Sequence, residues 1–234
     1  MTKKKSEELA IALVSGGMDS LVSAAMANEK HENMAFLHLN YGQKTEEREL
    51  KSFNNIADFY NIPKNKRKVI DVTFLSQIGG SSLTDSSMNV TSYEGDSNEI
   101  PTSYVPFRNT HIVAMAVSWA EVIGAKKIYI GAVEEDSSGY PDCRPSYYKA
   151  LNALVKEGTK EGDIEIITPV IELKKSDIVQ KAISLKAPLD MTWSCYSSED
   201  QSCGVCDSCA LRLRAFQIAG IEDPLPYKER PKYT

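Results

Sequence analysis

Two short stretches of this chain carry residue types and spacings that could do chemistry. The first is Ser15-Gly16-Gly17-Met18-Asp19-Ser20, which ends an apolar run over residues 9–14 and gives way at once to a helical pattern. Adjacent glycines let a backbone turn sharply and bare its N–H groups, and the two serine hydroxyls add donors. At a helix N-terminus such an array favours an anion, and a phosphate fits it. An ordinary strand-to-helix turn uses the same two glycines. The lysine and spacing of a Walker loop are absent, so this is not a Walker loop. Asp19 would be in reach of a Mg²⁺ bridging phosphate oxygens; the bland alternative is an acid that favours the first helical turn.

The second stretch sets Cys195, Cys203, Cys206 and Cys209 at C-x7-C-x2-C-x2-C spacing. Four thiolates in a tight loop match the closed tetrahedral coordination of a structural Zn²⁺, and Gly204 lets the loop turn. An all-thiolate set leaves no open position for water, so the role is structural. Four cysteines also accept an iron–sulfur cluster, although no companion redox motif accompanies them. The interleaved residues are Ser, Glu, Asp and Gln, and basic character begins only at Arg212 and Arg214, which speaks against a nucleic-acid knuckle. The fifth cysteine, Cys143, has no activating base in its neighbourhood of the sequence. The chain's histidines are His31, His38 and His111. Cys143 therefore reads as a packed or loop cysteine, with a sulfur-carrier role as the alternative.

These residues need a scaffold to place them. Apolar runs at 9–14, 34–39 and 68–72 predict strands, separated by helical patterns at 19–28 and 45–62, the latter opened by Thr45 as N-cap. Helices follow at 109–124, with Gly124 just past the end, and at 146–157 and 175–185; further strands fall at 126–133 and 163–170. The alternation predicts an α/β fold with a doubly wound parallel sheet. The glycine turn would then sit at the carboxyl end of the first strand, where such sheets bind ligands. Residues 73–104 lose periodicity and read as a long functional loop. Residues 1–190 form the expected main domain, and 191–234 a small cysteine-bearing segment with a C-terminal helix packed on it.

With 234 residues, 42% of them hydrophobic, the chain can bury one sizeable core. A net charge of −5 gives no global basic field, which disfavours a polynucleotide partner. No run is long and apolar enough for a membrane span, and the lysines at the N-terminus precede only a short apolar run, so a cytoplasmic protein is expected.

The strict S-G-G-x-D-S turn after an apolar strand resembles the pyrophosphate-binding loop (PP-loop) of the ATP pyrophosphatases, a group that includes GMP synthetase, NAD synthetase, argininosuccinate synthetase and several tRNA-modifying enzymes. Together with "LHLNYGQKTEERE", "VPFRNT", "SSGYPDCRP" and "WSCY" ahead of the last three cysteines, it resembles the 7-cyano-7-deazaguanine (preQ0) synthase family of queuosine biosynthesis over nearly the whole chain. The resemblance implies a Rossmann-like fold of the adenine nucleotide alpha hydrolase type. It also implies an ATP-dependent carbon–nitrogen ligase that turns the carboxylate of 7-carboxy-7-deazaguanine into a nitrile with ammonia, through adenylylated carboxylate and amide intermediates.

On that resemblance Leu13, Val14, Ser15, Gly16, Gly17, Met18, Asp19 and Ser20 would hold ATP, joined more weakly by Tyr41, Gln43 and Glu47 from the second βα loop. Ser15, Asp19, Ser20 and Lys175 would act on the phosphates, although a lysine at the position of Lys175 is otherwise just a solvated side chain. Arg108 and Asn109, with Gly139, Tyr140, Pro141, Asp142, Cys143 and Arg144, would line the deazaguanine pocket. Mg²⁺, structural Zn²⁺, small-molecule substrates and a homodimer complete the expectation. Many members read V-P-G-R-N where this chain has Phe107, which predicts a bulkier pocket wall or a stacking residue. Rival readings are a tRNA-modifying PP-loop enzyme, a relative that attaches a deazapurine to a protein, and a non-catalytic zinc-knuckle protein.

Overall fold

The computed structural model describes residues 4–95, 99–134 and 140–234. Gly139 of the expected pocket lies outside them. Five strands, β1 (Ala10–Leu13), β2 (Met34–Asn40), β3 (Arg67–Asp71), β4 (Lys127–Tyr129) and β5 (Glu165–Ile167), form one sheet in the order β3-β2-β1-β4-β5. All pairings are parallel. The helices are α1 (Met18–Lys30), α2 (Glu46–Phe59), α3 (Phe74–Ile78), α4 (Arg108–Ile123), α5 (Pro145–Gly158), α6 (Lys175–Ser184) and α7 (Asp207–Ala219).

Strand alternation divides the interior in two. Ile11 and Leu13 of β1 enter a core beneath α4 and α5, whereas Ala10 and Ala12 enter a second core beneath α1, α2, α6 and α7. Strand β2 is buried on both faces, which explains its nearly unbroken apolar sequence. Phe36 and Phe53, fully buried in the second core, each contribute about 2–3 kcal/mol. The polar exception, His38, donates from Nδ1 to the Val14 carbonyl at 2.9 Å, and burial lowers its pKa. A neutral imidazole thus ties β2 to the residue that enters the glycine turn.

The chain runs outward from β1 to β3 on one side and from β4 to β5 on the other. The reversal between β1 and β4 opens a crevice at their carboxyl ends. The predicted fourth and fifth strands are longer than the observed ones. Ile130 N still donates to the Ile167 carbonyl at 3.0 Å, and beyond it Gly131, Ala132 and Val133 line the crevice. Thr45 does stand at the N-cap of α2, but its hydroxyl does not cap a backbone N–H. It donates to Glu49 Oε1 at 2.9 Å, because a carboxylate one turn on is the stronger acceptor.

The long loop contains the short helix α3, and its later part docks on the cysteine loop. Tyr93 N donates to the Val205 carbonyl at 2.8 Å, and Ser92 bridges to Cys206. Helix α7 lends Ala215 and Phe216 to the second core, while Leu213, Leu225 and Tyr227 build a third around the cysteines and Trp193. Among the described residues no helix is long and apolar enough to cross a membrane.

Candidate active site

The glycine turn is shaped from three sides. Gly16 adopts φ +94°, and a Cβ there would stand 2.7 Å from the Glu49 carbonyl oxygen. Its own carbonyl accepts from Trp193 N at 2.8 Å. A Cβ on Gly131 would come within 2.6 Å of the Asp19 carbonyl and Ser20 N, so the segment after β4 and the start of α1 touch backbone to backbone. Within the turn Ser20 Oγ accepts from Ser15 N at 3.2 Å and donates to the Gly17 carbonyl at 2.9 Å. Ser15 Oγ accepts from Gly17 N at 3.3 Å. The two hydroxyls therefore fix the loop as well as facing the crevice.

Lys175, at the first position of α6, reaches back to Asp19 Oδ2 at 2.8 Å. Asp19 Oδ1 is buried without a partner among the described residues. A carboxylate oxygen left open beside an anion site fits a hard cation such as Mg²⁺.

The turn opens into a cleft of about 840 Å³ that continues to the start of α4. There Arg108 Nη1 donates to the Tyr41 hydroxyl at 3.1 Å, while its Nε is buried without a partner among the described residues. Asn109 faces the cleft and is held from behind: its backbone N–H donates to Asp142 Oδ2 at 3.1 Å and its Nδ2 to the Asp142 carbonyl at 3.0 Å. Burial raises the Asp142 pKa, and the Asn109 N–H opposes that rise. Tyr140 shares a 2.8 Å hydrogen bond with Ser103 on the long loop.

The structure thus brings Leu13, Val14, Ser15, Gly17, Met18, Asp19, Ser20, Tyr41, Lys175, Arg108, Asn109 and Tyr140 into one cleft wall. Gly16 shapes the turn from beneath. Gln43 stands behind the wall, accepting from Tyr41 N at 2.9 Å and donating to Glu49 Oε2 at 3.1 Å. Asp142 braces Asn109, and Arg144 is exposed at the N-cap of α5, away from the cleft. Glu47 is exposed on α2. Phe107 corrects the sequence reading. It is 56% exposed, leans edge-on against His111 and does not line the cleft. Its φ of 58° is left-handed, so this is a position that glycine fits and phenylalanine occupies under strain. Sequence reasoning missed Glu49, Gly131, Trp193 and Tyr196, all of which line the cleft. For Glu49 the usable signal was its spacing of four from Thr45, a same-face pair on a helix.

The four cysteine sulfurs lie within 4.8 Å of one another, and Cys203 and Cys209 Sγ are 3.8 Å apart. Zn–S bonds of about 2.3 Å give a tetrahedral edge of about 3.8 Å. Backbone N–H groups point at the sulfurs: those of Ser197 and Cys203 at Cys195, and those of Val205 and Cys206 at Cys203, all at 3.3–3.4 Å. Such donors favour thiolate, which is the form that ligates. Gly204, at φ +88°, packs so closely on the Glu229 carbonyl that no side chain fits. The donor set fits a closed metal site.

Fold and cleft together define a class: an open parallel α/β protein with a glycine turn at its switch point and a four-cysteine cluster suited to a metal beside it. A family model described as queuosine biosynthesis protein QueC matches residues 9–220. Curated relatives named 7-cyano-7-deazaguanine synthase align almost end to end. One from Chlorobium phaeobacteroides is 57% identical over 96% of this chain and 99% of its own, and one from Chloroherpeton thalassium is 60% identical over the same shares. Among solved structures, a 4-thiouridine synthetase–RNA complex with bound ATP shares 15% identity at a TM-score of 0.48, covering 76% of this chain and 40% of that one. The chain belongs to the QueC family of queuosine biosynthesis, the family of the 7-cyano-7-deazaguanine synthases.

Proposed function

We propose that the cleft converts 7-carboxy-7-deazaguanine, ammonia and ATP into 7-cyano-7-deazaguanine. The observation that carries this reading is that the glycine turn and the wall of Arg108, Asn109 and Tyr140 border one continuous volume. A triphosphate on the former and a planar carboxylate on the latter would meet at the carboxylate oxygen. Expelling oxide from a carboxylate is prohibitive. Attack of that oxygen on the α-phosphorus makes it part of a good leaving group, and pyrophosphate stays with the turn. Ammonia then displaces AMP to leave an amide, and a second activation, at the amide oxygen, permits elimination to the nitrile. Catalysis of this kind is positioning and charge stabilisation.

In this reading Ser15 and Ser20 hold the leaving pyrophosphate, and Lys175 neutralises it on exchanging Asp19 for phosphate. Arg108 meets the substrate carboxylate with its unpartnered Nε. Asp19 would hold Mg²⁺, which supplies charge neutralisation on the phosphates, and Cys195, Cys203, Cys206 and Cys209 would hold a structural Zn²⁺. Residues 191–234 then act as a metal-clasped appendage to the main domain. Exposed Ile218 and Ile221 on that appendage support a homodimer, which sedimentation velocity tests. Incubation with 7-carboxy-7-deazaguanine, ammonium and Mg-ATP is expected to give a product lighter than the amide by one water. Pyrophosphate release with another acid, and none with this one, overturns the assignment.

A further inference from the structure

Glu49 is a cleft residue whose charge the proposed nucleotide and deazaguanine contacts leave unused, and it lies near both halves of the site. Its backbone carbonyl abuts Gly16 of the glycine turn, and its side chain lies within electrostatic reach of Arg108 and Tyr41 at the other end. Its two oxygens accept one hydrogen bond each, from Thr45 Oγ1 at 2.9 Å and Gln43 Nε2 at 3.1 Å, and both donors are uncharged. No ion pair engages it among the described residues, in contrast to Asp19, whose partner is Lys175. Each carboxylate oxygen has a further lone pair, and Glu49 lines the cleft.

The reaction proposed above needs a nitrogen nucleophile, and at neutral pH that nucleophile arrives as ammonium: a compact cation with only donors and no lone pair. We propose that the Glu49 carboxylate receives substrate ammonium at the junction of the two halves and removes one of its protons. This proposal rests on the proposed reaction. The proton moves from ammonium to a Glu49 oxygen, freeing the lone pair of ammonia. That pair forms the C–N bond to the acyl carbon of the adenylate, the C–O bond to AMP breaks, and the second proton lost from nitrogen leaves with the AMP phosphate or solvent.

The surroundings suit a base for this step. Burial pushes the Glu49 pKa up to about 7, opposed by the Thr45 and Gln43 hydrogen bonds and the Arg108 charge and assisted by nearby Glu46. A base poised near the working pH takes and returns a proton most effectively.

The test compares nucleophiles in the full-length protein. Glu49→Gln is assayed for carboxylate-dependent ATP–pyrophosphate exchange, then for product formation with ammonium and with hydroxylamine, which is already uncharged at neutral pH. The expected result is retained exchange, a loss of about 10²-fold or more with ammonium at neutral pH, little loss with hydroxylamine, and a deficit that shrinks as rising pH supplies free ammonia. Equal losses with the two nucleophiles, or no loss with ammonium, overturn the proposal. If Glu49→Gln also loses exchange, Glu49→Asp decides by the same ratio: a larger deficit with ammonium supports the proposal, and equal deficits overturn it. Absence of exchange in the unsubstituted protein instead overturns the reaction on which the proposal rests.

Discussion

Arg212 is buried and Arg108 half-buried, and their surroundings could hardly differ more. Arg212 is 1% exposed, and all five of its N–H groups find acceptors: Asp223 twice, at 2.6 and 2.9 Å, and Thr192, Ser194 and the Leu189 carbonyl. Arg108 donates to the Tyr41 hydroxyl and keeps Nε unpartnered among the described residues. The contrast extends to the acids, since Asp223 also accepts from the Tyr227 hydroxyl and Leu225 N whereas Asp19 leaves one buried oxygen open. Saturated polar groups hold a fold together, and unsaturated ones at a cleft are where a ligand completes the bonding.

That contrast is sharpest at Asp223. Asp223→Ala is expected to strand the buried Arg212 charge and cost about 3–5 kcal/mol, read by urea unfolding. Cys206→Ser is expected to act on the same corner, lowering zinc content and melting temperature together; unchanged values of both would remove the structural-metal assignment. In the cleft the effect should move from stability to turnover. Asp19→Asn should lower kcat by about 10²–10³-fold while unfolding free energy shifts by less than about 1 kcal/mol. An Asp19→Asn protein that unfolds readily would break the comparison.

Glu49 tests the same idea through pH. Its folded pKa of about 7 lies above the ordinary 4.5, so its protonated form favours the folded state. That stability is fully present below the ordinary value and is lost as pH rises through about 7. Glu49→Gln should therefore match the parent in acid and exceed it by up to ~3 kcal/mol at alkaline pH, in melts across that range. Gly131→Ala forces a methyl group onto the backbone at the start of α1 and should cost about 1–3 kcal/mol, with a raised KM for ATP. The smallest effect is expected at Phe107→Gly. Relief of the left-handed strain offsets lost contact with His111, so stability should stay within about 1 kcal/mol and turnover should not change; a shifted substrate KM would return Phe107 to the pocket wall.

Much of the scaffold was legible in the sequence because it rests on local, periodic signals. The buried strand before the glycine turn, the helix ending at Gly124 and the crowded cysteines each announce themselves within a few residues. The end of β4 was not legible, because the residues that follow it are drawn into the crevice wall, a tertiary feature. Glu47 and Glu49 look alike in sequence; only the angle of α2 against the glycine turn turns one to solvent and the other to the cleft. Arg144 stood out by its neighbours and faces outward, since Pro145 starts a helix whose N-cap it occupies. At Phe107 only the folded structure, with its left-handed backbone and exposed ring, shows that the side chain stays out of the cleft lining.

The docking of the long loop has a consequence for how the cleft wall is held. Residues that wall the cleft, Tyr93 among them, are fastened to Val205 and Cys206 inside the cysteine loop and to Arg214 just beyond it. An ion held by those sulfurs would therefore clamp a side of the cleft while standing outside the chemistry. Without that ion the cleft wall would lose an anchor that none of the residues facing the phosphates supplies.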